Sequence, residues 1–149
     1  MTPHPDFASL DVPQIVHLGG YELAMPTADD LEEDYGAIMS SAPVLKGLFG
    51  PDWPTGWTIG EDETDLHWHH REFTAKRSFA WVIRTDESGY VGCAYLFPDI
   101  ATTGAGEAVY WMIDTPDRMA HLDAFGPLYV EWLKALLPVG YALNVRRND

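Results

Sequence analysis

Between Ser78 and Ile113 the chain holds three strand-like runs, the first of which, Ser78–Arg84, alternates with a period of two, and that pattern leaves little choice about what lies at its centre. Phe79, Trp81 and Ile83 point one way, Ala80 and Val82 the other. Tyr90–Phe97 is a second strand-like run, joined to the first by Thr85-Asp86-Glu87-Ser88-Gly89, a hairpin turn closed by glycine. Gly106–Ile113 supplies a third apolar run. Gly104-Ala105-Gly106 before it reads as a turn, because neither a helix nor Lys-Ser/Thr follows to make it a phosphate loop. The three runs predict an antiparallel meander.

The elements around the meander carry their own signals. Tyr21–Met25 alternates and stops at Pro26, which predicts a first strand. Thr27, with Asp30 three residues on, resembles a capping box, and Leu31, Tyr35, Ile38, Met39 and Ala42 form a helical stripe that ends at Pro43. Thr58-Ile59-Gly60-Glu61 opens a second helix through Arg77, with Leu66, His70, Phe73 and Arg77 along one face. Leu122–Leu137 reads as another amphipathic helix. With Asp123 as its N-cap, Pro127 falls in the first turn, where a missing N–H costs nothing. Val139–Val145 is a last short strand, so the order is βααβββαβ. Residues 1–19 contain three prolines and read as an extended N-terminal arm on a single domain, 20–149.

Composition limits the partners. Nine Lys+Arg against 23 Asp+Glu give a formal net charge of −14. Such a charge repels phosphate backbones and anionic lipid, so neither nucleic acid nor a membrane surface is expected as a partner, and a cationic one is favoured. Cys93 is the only cysteine, which excludes an intrachain disulfide and any multi-cysteine zinc site. Without a signal-like N-terminus, the expected location is cytoplasmic.

Glu107-Ala108-Val109-Tyr110-Trp111-Met112 resembles the fourth strand of the GNAT acetyltransferases, and Phe79–Arg84 with Val91-Gly92-Cys93-Ala94-Tyr95-Leu96 resembles their second and third. From Tyr21 onward the chain is similar to a divergent bacterial branch of that family. The resemblance implies an α+β fold: a GNAT-like mixed central sheet in the order β-α-α-β-β-β-α-β with helices on both faces. It implies transfer of acetyl from acetyl-CoA to a small amine, with a non-catalytic ligand-binding or protein-interaction module of the same fold as the alternative. Glu107 matches the position of the general base. Met112, Ile113, Arg118, Met119, Ala120 and His121 match the cofactor segment. In that segment Arg118 can match the family's leading basic residue, while His121 and Asp123 stand where the family has glycines. Trp53, Trp68 and His70 match the acceptor wall. The family continues beyond the strand at which this sequence stops, at Asp149, so a homodimer covering an exposed sheet edge is expected.

Other residues have plainer readings. His67-Trp68-His69-His70 with Glu63, Asp65 and Glu72 offers i, i+4 pairs, but a metal site needs three or more converging ligands, so no metal is expected and one histidine packs at the core edge. Trp81, Trp111 and Trp132 fall at core-facing positions, whereas Trp53 and Trp57 lie on a loop and stay open. Cys93, inside a strand, is read as a buried inert thiol.

Overall fold

The computed structural model describes all residues, 1–149. Six strands form one sheet: β1 (Ile15–Leu18), β2 (Tyr21–Ala24), β3 (Phe79–Thr85), β4 (Gly89–Pro98), β5 (Ala105–Met112) and β6 (Ala142–Arg147), side by side in chain order. The first five pair antiparallel, and β6 joins β5 in parallel. Four helices complete the chain: α1 (Leu31–Ser40), the single turn α2 (Ala42–Leu45), α3 (Ile59–Thr74) and α4 (Arg118–Leu136). No helix is long and apolar enough to cross a membrane.

The meander is present, and its alternation builds two cores. Phe79, Trp81 and Ile83 join Ala108, Tyr110 and Met112 on the face covered by Leu122, Phe125, Tyr129 and Leu133 of α4. Ala80, Val82, Cys93, Tyr95, Val109 and Trp111 make the other face, against Ile38 of α1 and Leu45 of α2. A register shift at Ile83/Arg84 marks the end of the hairpin, and Gly89 closes the turn at φ +67°.

The N-terminal segment differs from the expected arm. Ile15–Leu18 is the edge strand β1, and Phe7 is fully buried, its ring 5.1 Å from that of Phe79. Lys76 Nζ donates to Leu10 O at 2.8 Å and the Trp81 indole N–H to Pro13 O at 3.2 Å, so the segment is bonded to the core.

Helix faces were shifted from the expected ones. Thr27 and Asp30 do form the capping box, but they open a short 3-10 turn before α1, and the buried residues of α1 are Asp34 and Ile38; Met39 is exposed. Thr58 caps α3 by accepting the Glu61 N–H at 3.1 Å. The buried face of α3 runs through Asp62, Leu66, His69, Glu72 and Phe73, with His70 outside and Arg77 beyond the end. Helix α4 begins at Arg118, four residues before the expected start. Pro127 is therefore interior, where it removes one i→i−4 hydrogen bond. The neighbouring Gly126 is needed for packing: a Cβ there would lie 2.1 Å from the Tyr110 hydroxyl.

Candidate functional site

A cavity of about 340 Å³ opens on the second face of the sheet. Its floor is Ala80 and Val82 of β3 with Cys93 and Tyr95 of β4; α1 and α3 supply Asp34, Asp65, Trp68 and His69; the loop from Lys46 to Trp57 adds Phe49, Trp53 and Trp57. The aromatic walls hold one another edge to face, with Phe49 5.0 Å from both Trp53 and Tyr95 and Trp53 6.3 Å from Trp57.

Burying polar groups among these rings requires that they pair. Asp34 accepts from Tyr90 Oη at 2.6 Å, and its carboxyl also bonds Asp62, whose other oxygen accepts from the Trp57 indole at 3.0 Å. Burial, reinforced by Asp62, pushes the Asp34 carboxyl up to about 8, so it carries a proton at neutral pH. That proton fills the side of Asp62 that no N–H or fixed O–H reaches. Burial likewise pushes Tyr90, Cys93 and Tyr95 upward; the Cys93 thiol sits 3.0 Å from the Tyr90 hydroxyl and is neutral. His69 is different. Its Nε2 lies 3.2 Å from Asp65 Oδ2, while its buried Nδ1 has no partner.

The residues singled out in the sequence fall in three places. Trp53 and Trp68 line the cavity; His70 does not, its Nδ1 standing 3.2 Å from Pro26 O. Glu107 lies across β4 from Phe97, a cavity residue, and so shares its face. Its carboxylate takes Nε and Nη2 of Arg146 at 2.9 and 3.1 Å, and Arg146 Nη1 is anchored on Leu48 O at 2.8 Å.

The remaining candidates gather at the end of β5. Met112 is buried, and its N–H and C=O both bond the Asn148 carboxamide, at 3.0 and 2.9 Å. Arg118 donates to Asn148 O. Ile113 is held by Val91 O at 2.8 Å. Met119 and Ala120 lie in the first turn of α4 with N–H groups that no acceptor in the chain takes. His121 is turned to β2, its Nδ1 2.8 Å from the Tyr21 hydroxyl. Beside this end an open hollow of about 970 Å³ is bordered by Lys46, Gly126, Arg146 and Arg147.

Sequence reasoning missed Asp34, Asp62 and His69. The first two are ordinary acids of a helix until Tyr90 and Trp57 close over them, and His69 is one position away from the histidine of the expected stripe.

No protein-family model and no curated protein sequence matches the chain. Its fold does match solved structures. A GCN5-related N-acetyltransferase from Brucella melitensis superposes with a TM-score of 0.65 at 18% identity, over 95% of this chain and 61% of its own. Microcin C7 self-immunity acetyltransferase, solved with acetyl-CoA and AMP, gives 0.64 at 15% identity over 90% and 73%. Ribosomal-protein-S5-alanine acetyltransferase from Vibrio fischeri gives 0.61 at 14% over 84% and 68%. The chain thus spans roughly two thirds of the length of these proteins, and over that span its fold is that of the GNAT, or GCN5-related, N-acetyltransferases.

Proposed function

We propose that the chain transfers acetyl from acetyl-CoA to an amine held in the aromatic cavity. The observation that carries this reading is the shared face: Glu107 on β5 stands across from Phe97, which lines the cavity. Bound acetyl-CoA supplies its acetyl group as a thioester.

The chain's own groups fit such a ligand at two points. The free N–H groups of Met119 and Ala120 at the start of α4, with Arg118 beside them, suit phosphate oxygens. The peptide group of Met112 is a donor and acceptor pair suited to an amide, as its two bonds to the Asn148 carboxamide demonstrate. An ammonium acceptor must lose a proton before its nitrogen can attack. Glu107 receives that proton, and the Arg146 pair orients its carboxylate. Trp53 and Trp68 hold the body of the acceptor.

Calorimetric titration with acetyl-CoA tests the reading, with a dissociation constant below about 1 mM expected. Glu107→Gln then lowers turnover at neutral pH by about tenfold or more while leaving cofactor affinity unchanged. No binding at millimolar acetyl-CoA removes the enzyme reading and leaves the fold as a non-catalytic binding module. Unchanged turnover removes Glu107 from the chemistry.

A further inference from the structure

The cavity has a chemical preference that its shape alone does not explain. Three carboxyl groups belong to it or stand directly behind it, Asp34, Asp65 and Asp62, and no lysine or arginine lines it. Asp34 is neutral through its proton, but an anion placed there would still stand beside Asp62 and Asp65 without a counter-ion, which a buried site does not tolerate. Around these acids stand six aromatic faces, Phe49, Trp53, Trp57, Trp68, Tyr95 and Phe97. Faces of this kind attract cations through their quadrupoles.

His69 specifies the ligand further. It is only 8% exposed, and its ring lies 5.1 Å from that of Trp68 and 5.4 Å from that of Tyr95. Donation of the Nε2 hydrogen to Asp65 leaves a lone pair on Nδ1, a buried acceptor in the cavity wall that nothing in the chain bonds. A buried polar atom of this kind is costly unless something bonds it. The complement is a hydrogen-bond donor that is also positively charged and has an apolar body. At about 340 Å³ the space suits one ring and a short chain, near the lower end of ligand pockets.

We propose that the cavity binds an arylalkyl ammonium ion, its N–H donating to Nδ1 of His69 and its ring lying between the tryptophan and phenylalanine walls. This deepens the acceptor assignment above and rests on it only for the ligand's fate, since binding itself needs no acetyl-CoA.

Three probes of one shape separate charge from hydrophobicity: 2-phenylethylamine, 2-phenylethanol and phenylacetate, titrated at pH 7 by calorimetry and by tryptophan fluorescence without acetyl-CoA. The amine is expected to bind roughly tenfold or more tightly than the alcohol, about one power of ten in Kd, and phenylacetate more weakly than either. His69→Phe, which keeps a ring of similar size, is expected to weaken the amine about tenfold and the alcohol, whose O–H also donates, less, while an unchanged near-UV circular dichroism spectrum shows that the cavity still folds. The wild-type series needs no variant and decides the matter if His69→Phe fails to fold. An alcohol that binds as tightly as the amine, a folded His69→Phe protein that binds the amine as tightly as wild type does, or no binding by any probe at about 10 mM, beyond even weak-ligand affinities, overturns the proposal. Failure to bind acetyl-CoA leaves these outcomes unchanged, so the two readings fail separately.

Discussion

Replacing Asp34 by asparagine is expected to make the protein more stable, and increasingly so as the pH rises. In the folded chain the Asp34 carboxyl is 4% exposed, accepts from the Tyr90 hydroxyl at 2.6 Å and keeps its own proton, directed at Asp62. Burial first, and then the adjacent Asp62, raises it from 3.8 to about 8. The folded state therefore holds a proton that the unfolded state has released anywhere between those two values. The stability owed to this group is fully present below about pH 4 and is lost as the pH climbs through about 8. Each pH unit in that window costs about 1.4 kcal/mol, so at pH 7 the loss approaches about 4 kcal/mol. Asparagine reproduces the protonated acid: its carbonyl accepts from Tyr90, its amide donates to Asp62, and it does not titrate. Urea unfolding of both proteins from pH 5 to pH 8.5 measures the difference. The Asp34→Asn protein should match wild type only below about pH 4, stand about 2 kcal/mol above it at pH 5 and about 5 kcal/mol above it at pH 8.5. Two curves that run parallel over this range would refute the shared-proton account, because every other titrating group is common to both proteins.

Two further expectations concern packing. A Cβ at Gly92 would lie 1.9 Å from Trp111 O in the β4–β5 pair, inside the sheet, whereas one at Gly36 in α1 meets nothing within 4 Å. Gly92→Ala should cost about 3 kcal/mol or abolish folding, while Gly36→Ala should gain about 0.5–1 kcal/mol from helix propensity; equal effects in chemical denaturation would contradict the close approach. Phe7→Ala should cost about 3–5 kcal/mol, because Phe7 is fully buried against Phe79; a loss under about 1 kcal/mol would show the N-terminal segment to be detached from the core.

What the sequence discloses and what it conceals follow from distance along the chain. The β3–β4 hairpin is legible because its partners are neighbours and its period of two is written in Phe79, Trp81 and Ile83. Strand β1 is not, since four residues of which Ile15 and His17 are exposed leave no alternation to read. The start of α4 is hidden by Pro127, which on local grounds belongs in a first turn and is tolerated here nine residues into the helix. The buried face of α3 turns on an ambiguity of helical spacing. Leu66, His70 and Phe73 satisfy i, i+4 and i+3 as well as Leu66, His69 and Phe73 satisfy i, i+3 and i+4, and only the strand beneath selects His69. Asp34 meets Tyr90 across 56 positions, a pairing that no local pattern encodes. The acceptor wall was legible in Trp53 and Trp68, while its polar lining was not.

The cavity has two sides of unequal rigidity. Its floor, Ala80, Val82, Cys93 and Tyr95, belongs to the two middle strands, paired on both edges, so those positions open only when the whole domain does. Its roof, Phe49, Trp53 and Trp57, rides on a segment without extended helix or strand, held by ring contacts, by tight turns and by bonds from Tyr35 to Trp57 O, from Trp57 to Asp62 and from Arg146 to Leu48 O. A ligand therefore meets a floor locked into the sheet ladder and a roof held by a smaller set of local bonds, which opens at a lower cost than the domain does. Discrimination between ligands of different length then resides in the roof, where a ring can shift, and discrimination by charge in the floor and helices, where nothing can.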